Sequence, residues 1–229
     1  MLNWNPNKKF IVIDGIIGAG KTTLTKAIAD KTGWIPYLEP VKSNPYLDDF
    51  YKVINGTKEN NGEPVMMQIF LLNKRFEDHR NIIANNKNCL QDRTIWGDNI
   101  FAKNMYESGF ISQLDYCTYL SLFNNMQRDL VAPSLIVYLD VSPKTARSRI
   151  HQRNRLAEQN INLEYLNNLS RSYNKWLTYM SQSTKIIRIP YDDIQLNDQT
   201  VSNIIEIIEQ KHEERRQNHF LSKYTHLID

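Results

Sequence analysis

The chain has 229 residues, of which 41% are hydrophobic and 23% are charged. These proportions are typical of a soluble globular protein, and the length suits one core better than two, so we predict a single domain over residues 1–229. The net charge of +3 is too small for the concentrated positive face of a nucleic-acid-binding protein, so no nucleic-acid partner is expected.

Neither the cysteines nor the apolar segments indicate an exported or membrane-bound protein. Cys89 and Cys117 match no zinc-site or redox spacing and fit ordinary buried thiols in a reducing compartment. The polar segment Met1–Lys9 lacks the pattern of a signal or transit peptide, and no apolar stretch approaches membrane-spanning length. We therefore expect a cytoplasmic enzyme or binding module with no membrane partner.

Short runs of β-branched and aromatic residues predict strands, and segments of helical period separate them. The predicted strands are Lys9–Asp14, Trp34–Glu39, Asn88–Asp92, Leu135–Asp140 and Lys185–Ile189. The predicted helices are Lys21–Lys31, Pro64–Ala84, Gln113–Leu130, Lys144–Gln152, Leu163–Ser181 and Thr200–Arg216. Together with the glycine-rich segment GIIGAGKT (15–22) after the first strand, this alternation predicts an α/β fold of the P-loop NTPase type: a doubly wound, mostly parallel five-stranded sheet with helices on both faces.

Two segments are predicted to lie outside these elements. The stretch Asn55–Pro64 (NGTKENNGEP) is rich in turn-forming residues, but it is too short for an interdomain linker. The residues His219–Asp229 lack hydrophobic periodicity, which is typical of a tail.

The first predicted strand runs into a segment that fits the phosphate-binding pattern G-x-x-x-x-G-K-[ST]. The residues proposed to bind the nucleotide are Gly15, Ile16, Ile17, Gly18, Ala19, Gly20, Lys21, Thr22 and Thr23. Glycines let backbone N–H groups face phosphate oxygens, and the following helix adds its positive dipole end. Lys21 can neutralise the β- and γ-phosphates, and the Thr22 hydroxyl can ligate Mg²⁺. The alternative, a glycine-rich turn that binds nothing, is disfavoured by the flanking strand and helix.

Acidic residues end two other predicted strands. Glu39 precedes Pro40, and Asp92 precedes Arg93. Ligands of open α/β sheets bind beyond the carboxyl ends of the strands, where the phosphate loop also lies. Phosphoryl transfer needs a base for the attacking hydroxyl, a carboxylate for magnesium and cations for the transferring group, which suits Glu39, Asp92 and Arg93 respectively. A surface glutamate and a structural Asp92–Arg93 ion pair are the alternatives.

A basic cluster follows the fourth predicted strand. Arg147, Arg149, Arg153 and Arg155 lie within nine residues, and Arg149 and Arg153 share a helix face. Such a run is usually a solvated helix face. Because a phosphate loop is present, we favour a lid over about residues 149–160 that supplies arginines to the triphosphate.

These motifs, in this order, resemble the deoxynucleoside kinase family, and bacterial and mycoplasma purine deoxynucleoside kinases look most similar. The fragments that carry the resemblance are GIIGAGKTT (15–23), LEPVKSNPYL (38–47), MQIFLLNKR (67–75), DRTIWGDNIFAKNMYE (92–107) and RIHQRNRLAEQNINLEYL (149–166). The resemblance implies transfer of the γ-phosphoryl group of ATP, with Mg²⁺, to the 5′-hydroxyl of a deoxynucleoside. It also implies a homodimer.

The resemblance assigns reaction roles to named residues. Glu39 matches the general base, Arg93 the arginine beside the acceptor, and Asp92 the acid near magnesium. The lid arginines correspond to Arg149, Arg153 and Arg155.

The resemblance also assigns substrate contacts. Gln68 matches the glutamine that holds the base, Arg75 and Asp98 a pair that reads its far edge, and Phe101 the stacking phenylalanine. Gln68 and Arg75 are seven residues apart and project from nearly one side of a helix, although a polar helix face is the alternative explanation.

The sugar contacts follow from the same resemblance. Glu158 matches a lid acid that binds the 3′-hydroxyl. The tyrosine that shares this hydroxyl corresponds to Tyr46 or Tyr51, and we choose Tyr51.

Two other functions compete with this one. A thymidylate kinase-like enzyme has a similar phosphate loop, but it usually carries an arginine before the glutamate-proline pair, where this chain has Leu38. A non-catalytic nucleotide-binding relative would be expected to lose Lys21, Glu39 or Asp92. Arg75 with Asp98 further favours deoxyadenosine, deoxyguanosine or deoxycytidine over thymidine.

Overall fold

The structure is a computed structural model that describes residues 4–224 except residues 6, 42 and 129. The strands are β1 (Phe10–Asp14), β2 (Ile35–Tyr37), β3 (Cys89–Asp92), β4 (Leu135–Asp140) and β5 (Lys185–Pro190). The helices are α1 (Lys21–Thr32), α2 (Leu47–Ile54), α3 (Glu63–Asn85), α4 (Ile95–Glu107), α5 (Gln113–Gln127), α6 (Pro143–Arg153), α7 (Leu163–Met180) and α8 (Asp198–Tyr224). A short 3₁₀ helix covers Leu156–Glu158.

The strands form one parallel sheet in the order β2-β3-β1-β4-β5. The central strand β1 is buried throughout, because its side chains enter two core clusters on opposite faces of the sheet. Ile11 and Ile13 pack into the larger cluster, and Phe10 and Val12 pack into the other. A strand covered on both faces needs the continuous apolar run that this chain provides. The predicted fold class is therefore confirmed.

The strand β2 is shorter than predicted. It spans Ile35–Tyr37 rather than Trp34–Glu39, so Glu39 lies in the loop beyond the strand. At this edge of the sheet β2 pairs only with β3, and its last partner is Gln91. Pairing stops there because β3 ends at Asp92 and Arg93 turns away with a φ of 69°.

Two helices near the cleft were not predicted. The eight-residue α2 buries Phe50, Tyr51 and Val53, but it is too short to show a convincing helical period. In α4 the polar residues Asp98 and Asn104 point inward, which obscures the usual division into polar and apolar faces.

The last helix is longer than predicted. Its backbone is helical to Tyr224, so residues 219–224 of the predicted tail extend α8, while residues 225–229 lie outside the described residues. No described helix combines the length and apolar character needed to cross a bilayer.

The loop between β1 and α1 requires glycine. Gly18 and Gly20 have φ values of 81° and 96°, in the left-handed region. A Cβ at Gly18 would lie 2.4 Å from the backbone carbonyl oxygen of Ala146 in α6. The loop and α6 therefore pack as closely as they do only because residue 18 has no side chain.

Substitution of Gly18 tests this close packing. Gly33 also has a positive φ, of 70°, but a Cβ there would meet no described atom within 4 Å. Gly33→Ala should therefore lower the free energy of unfolding by about 1–2 kcal/mol, the cost of the left-handed backbone alone. Gly18→Ala should cost roughly 1–3 kcal/mol more because of the clash. Urea unfolding of both variants measures the difference, and equal losses would contradict the packing.

Candidate active site

A cavity of about 400 Å³ opens where the phosphate loop meets the carboxyl ends of β1 and β3. It is lined from the loop, α1, α2, α3, the segments after β2 and β3, and the α6–α7 connection. The predicted site residues that line it are Ile17, Gly18, Gly20, Lys21, Thr22, Thr23, Glu39, Tyr51, Gln68, Arg75, Arg93, Phe101, Arg153, Arg155 and Glu158. Gly15, Ile16, Ala19, Asp92, Asp98 and Arg149 do not belong to this lining.

The ammonium group of Lys21 lies within the curve of the phosphate loop. Its Nζ donates a hydrogen bond to the carbonyl oxygen of Ile16 at 2.9 Å. Burial, reinforced by the charge of Arg93, lowers the pKa of Lys21 to about 8 against the opposing effect of nearby carboxylates. The lysine is therefore mostly charged at neutral pH and satisfied by a backbone acceptor that phosphate oxygens could replace.

The side chains of Thr22 and Asp92 meet at the end of β3. The Thr22 hydroxyl donates to Oδ2 of Asp92, while Oδ1 of that carboxylate is buried with no hydrogen-bond partner among the described residues. Desolvation raises the pKa of Asp92. Within the described ranges no cluster of three metal-binding side chains occurs. The pair fits Mg²⁺, which commonly takes one or two protein oxygens and completes its shell with phosphates and water.

The Glu39 carboxylate lies between two arginines. Its Oε1 accepts from Nη2 of Arg75 at 2.6 Å and lies 3.4 Å from Nε of Arg93. Burial opposes ionisation, but the charges of Arg93, Arg75 and Lys21 outweigh it and lower the pKa of Glu39 to about 2. Glu39 is therefore a carboxylate at every physiological pH and faces the cavity as a hydrogen-bond acceptor.

A buried polar chain runs from Glu39 into the protein behind the cavity wall. Arg75 pairs with Oδ1 of Asp98, and Oδ2 of Asp98 accepts from the Tyr119 hydroxyl at 2.5 Å. Gln68 is buried on the same face of α3, and its Oε1 has no partner in the part of the chain that the structure describes. An unsatisfied buried amide oxygen is costly, so this atom is suited to a ligand donor.

The α6–α7 connection closes the cavity over Tyr51. Glu158 pairs with Arg153 and, at 3.2 Å, with Nη1 of Arg155. Burial and the nearby Glu158 charge raise the pKa of Tyr51 well above its usual value, so this phenol remains protonated. A phenol and a carboxylate thus lie close together at one end of the cavity.

Arg149 points away from the cavity. Its Nη2 donates to the carbonyl oxygens of Tyr191 and Asp192 at 2.7 and 2.9 Å, and its guanidinium lies 5.5 Å from the Tyr191 ring centroid. Tyr191 also lies over the phosphate loop, 3.3 Å from a Cβ placed at Gly20. Arg149 is therefore on the outer side of the loop, apart from Arg153 and Arg155.

Several lining residues were not predicted. Met67 and Leu71 flank Gln68 on α3, and that spacing could have suggested them. The other unpredicted lining residues are Val41, Asn44, Leu47, Phe50 and Tyr165. They lie in segments whose structure was not predicted, or their residue type does not by itself indicate a binding site.

The fold and this cleft define a P-loop kinase. A phosphate loop faces an ionised glutamate across a cavity with an amide and aromatic rings, which is an arrangement for phosphoryl transfer to a bound hydroxyl.

Comparison with known proteins identifies the family. The family model described as deoxynucleoside kinase matches residues 11–213. Deoxyadenosine kinase from Dictyostelium discoideum is 42% identical over 183 residues, which are 80% of this chain and 72% of that protein. Deoxyadenosine/deoxycytidine kinase from Bacillus subtilis is 31% identical over 207 residues, covering 89% and 93% of the two chains.

Comparison with solved structures supports the same family assignment. Deoxyadenosine kinase from M. mycoides with bound dCTP superposes with a TM-score of 0.72 at 32% identity, covering 89% of this chain and 98% of that one. The structure of the same enzyme with bound dATP gives a TM-score of 0.74 at 31% identity, covering 87% and 98%. The chain therefore belongs to the deoxynucleoside kinase family, whose members are ATP-dependent phosphotransferases. This decides against the thymidylate kinase-like alternative.

The pKa of Lys21 predicts how nucleotide binding depends on pH. Phosphate binding favours the charged ammonium, which is fully present below the pKa of about 8 and lost above it. ATP affinity should therefore be constant near neutral pH and fall by up to about tenfold per pH unit in alkaline solution. Isothermal titration across this range measures the effect.

A substitution that keeps the charge provides the control. Lys21→Arg should flatten the alkaline decline, because a guanidinium stays charged. Lys26→Arg, at an exposed position of α1, should retain the wild-type profile. Wild-type affinity that is independent of pH would contradict the assignment.

Proposed function

We propose that this deoxynucleoside kinase transfers the γ-phosphoryl group of ATP to the 5′-hydroxyl of deoxyadenosine, deoxyguanosine or deoxycytidine, in nucleotide salvage. The observation that carries this proposal is that Glu39 and Gln68 line the same cavity as the phosphate loop. A triphosphate seat, an acceptor for a hydroxyl proton and an amide for a base are thus within one cleft.

Glu39 is proposed to act on the 5′-hydroxyl. Its pKa of about 2 makes it a weak base, so it first orients the hydroxyl by accepting its hydrogen bond. The hydroxyl oxygen attacks the γ-phosphorus, and the bond between that phosphorus and the leaving oxygen of ADP breaks. The hydroxyl proton passes to the Glu39 carboxylate. Full proton transfer comes late, because the acidity of the hydroxyl rises only as its oxygen bonds to phosphorus.

Cations from several elements are proposed to stabilise the transferring group. Lys21 and Arg93 line the cavity next to Glu39, and Arg153 and Arg155 approach it from the α6–α7 connection. Charge that develops on the phosphoryl oxygens is stabilised by such preorganised donors. We propose that residues 149–160 form the lid of a single domain. Arg149 would then act on the donor nucleotide from outside the loop.

Thr22 and Asp92 are proposed to hold Mg²⁺. When bound, the ion would supply positive charge that neutralises the phosphates. Thr22 would offer its hydroxyl oxygen, and Asp92 the carboxylate oxygen that has no partner among the described residues.

The sugar and base are proposed to occupy the inner half of the cavity. Tyr51 and Glu158 would share the 3′-hydroxyl, one donating and the other accepting. Gln68 would pair with the base through its amide, and Phe101 would stack on it. Arg75 lines the cavity and pairs with Asp98 behind it, and this pair is proposed to read a purine or cytosine edge. The relatives reported above are named for deoxyadenosine or deoxycytidine, which supports this preference.

We also propose a homodimer on the grounds of family membership. A groove between α4, α5 and α7 suits such an interface, since it is lined by the half-buried rings of Trp96 and Trp176 and by Tyr179, which is 69% exposed. A cytoplasmic location and the lack of nucleic-acid and membrane partners stay predictions.

Removal of the Glu39 charge tests its role. Glu39→Gln should leave ATP binding intact and lower kcat by roughly 10²–10⁴-fold, the usual loss for a general base. Steady-state kinetics with titration of ATP separates the two effects. Glu206→Gln, at an exposed position of α8, is the matched control and should keep wild-type kcat. An unchanged rate in Glu39→Gln would remove the residue from this role.

Substrate preference tests the base site. With ATP and Mg²⁺, kcat/KM for deoxyadenosine, deoxyguanosine or deoxycytidine should exceed that for thymidine, because the charged Arg75–Asp98 pair is proposed to suit a purine or cytosine edge. A coupled assay across the four deoxynucleosides measures the ranking. Thymidine as the best substrate would overturn the assignment.

A further inference from the structure

Tyr173 lies in a buried polar cluster beneath the cleft. It is a fully buried residue of α7, and its hydroxyl donates to Oδ1 of Asp14 at 2.8 Å. The same hydroxyl accepts from Nη1 of Arg93. One neutral hydroxyl thus bridges a carboxylate at the end of β1 and the arginine that follows β3.

Arg93 is held in an unusual backbone conformation. Its φ of 69° is in the left-handed region, which is unfavourable for a residue with a side chain. Its backbone N–H donates to the carbonyl oxygen of Ile13 at 3.1 Å, which fixes the turn against β1. Such a conformation persists only where the surroundings enforce it, so the direction of the Arg93 side chain is part of how the site is built.

Two carboxylates compete for the Arg93 guanidinium. Glu39 lies 3.4 Å from Nε, on the cavity side, and Asp14 lies 3.6 Å from Nη1, on the sheet side. Asp14 is fully buried, and its Oδ2 is without a hydrogen-bond partner among the residues described. A buried carboxylate with a free oxygen attracts a guanidinium strongly, and a direct bidentate pair with Asp14 would turn Arg93 away from the cavity.

The Tyr173 hydroxyl takes the Nη1 hydrogen bond that Arg93 would otherwise give to Asp14. It also donates to Oδ1 of Asp14, beside the backbone N–H of Gly15, while Arg93 stays 3.6 Å from that oxygen. Phe101 packs against the guanidinium with its ring centroid 4.5 Å from Cζ and lies 6.2 Å from the Tyr173 ring. The arginine is thereby held on the Glu39 side.

We propose that Tyr173 is a positioning residue for phosphoryl transfer, whose hydroxyl keeps the Arg93 guanidinium on the cavity side by accepting its hydrogen bond in place of Asp14. The inference rests on the proposed function, because it assigns Arg93 to the transferring group. Tyr173 itself does not line the cavity and touches the reaction only through Arg93.

Loss of the hydroxyl has one expected consequence. Arg93 moves toward Asp14, and a displacement of this kind can lower kcat by roughly 10–100-fold while the binding of ATP is retained.

The experiment compares Tyr173→Phe with Tyr138→Phe in the full chain. Tyr138 is a buried neighbour whose ring centroid lies 5.5 Å from that of Tyr173, so its variant removes a hydroxyl from the same packing region. Tyr173→Phe should lower kcat and leave the KM for ATP within about twofold, whereas Tyr138→Phe should keep the wild-type values of both. Wild-type kcat in Tyr173→Phe would overturn the proposal.

A double variant distinguishes positioning from general damage. In Tyr173→Phe/Asp14→Asn the competing charge is gone, so part of the lost kcat should return. A double variant as slow as the single one would overturn the proposal. A wild-type protein that phosphorylates no deoxynucleoside would instead refute the proposed function.

Asp14→Asn provides a second test if Tyr173→Phe does not fold. Arg93 then retains Tyr173 and Glu39 as partners, so kcat should fall far less than it does in Glu39→Gln. A loss as large as that of Glu39→Gln would show that Asp14 anchors Arg93 directly and would overturn the proposal.

Discussion

The cleft depends on the balance between buried charges of opposite sign. Asp14, Glu39 and Asp92 come from or follow three strands, and Lys21 and Arg93 lie among them. An unpaired charge removed from water costs several kcal/mol, so each group must find a partner of opposite charge or several hydrogen bonds. The parallel sheet makes this possible, because the carboxyl ends of its strands meet at one edge. The position of every ionic group in the cleft follows from that requirement.

In this structure the protein satisfies these charges with its own atoms. Lys21 bonds the Ile16 carbonyl, Arg75 bonds Glu39, and Arg153 bonds Glu158. Each contact involves a group that is proposed to bind a ligand. When ligands bind, their hydrogen bonds would replace these internal ones, so the net free energy of each exchange would be modest. The geometry of the groups would select the ligands that can form the new hydrogen bonds. Specificity would then depend on ligands that can replace all of these partners together.

The pair formed by Arg75 and Glu39 connects recognition with chemistry. Arg75 is proposed to read the base, yet it also donates to the carboxylate proposed to receive the 5′-hydroxyl proton. A base that attracts Arg75 would weaken its hold on Glu39, which would raise the pKa of Glu39 and strengthen it as a base. Tyr119, through Asp98, limits how far Arg75 can move. Substrate recognition and activation of the hydroxyl would therefore share one hydrogen-bonded chain.

The sequence by itself determined the features that are local. Period and composition predicted the parallel sheet, and a continuous motif predicted the phosphate loop, because each is encoded by neighbouring residues. The positions of Glu39 and Asp92 at strand ends, and the spacing of Gln68 and Arg75 on α3, likewise predicted residues that the structure places at one cleft, although their roles stay predictions.

Only the tertiary structure decided which distant residues meet. The contact of Tyr173 with Asp14 joins residues 159 positions apart, and that of Tyr119 with Asp98 joins two helices, one of which was not predicted. It also showed that Arg149 points away from Arg153 although both lie on α6. In a sequence, a tyrosine such as Tyr173 cannot be distinguished from an ordinary core residue, because the partners of its hydroxyl come from other elements and meet it only when the helices pack against the sheet.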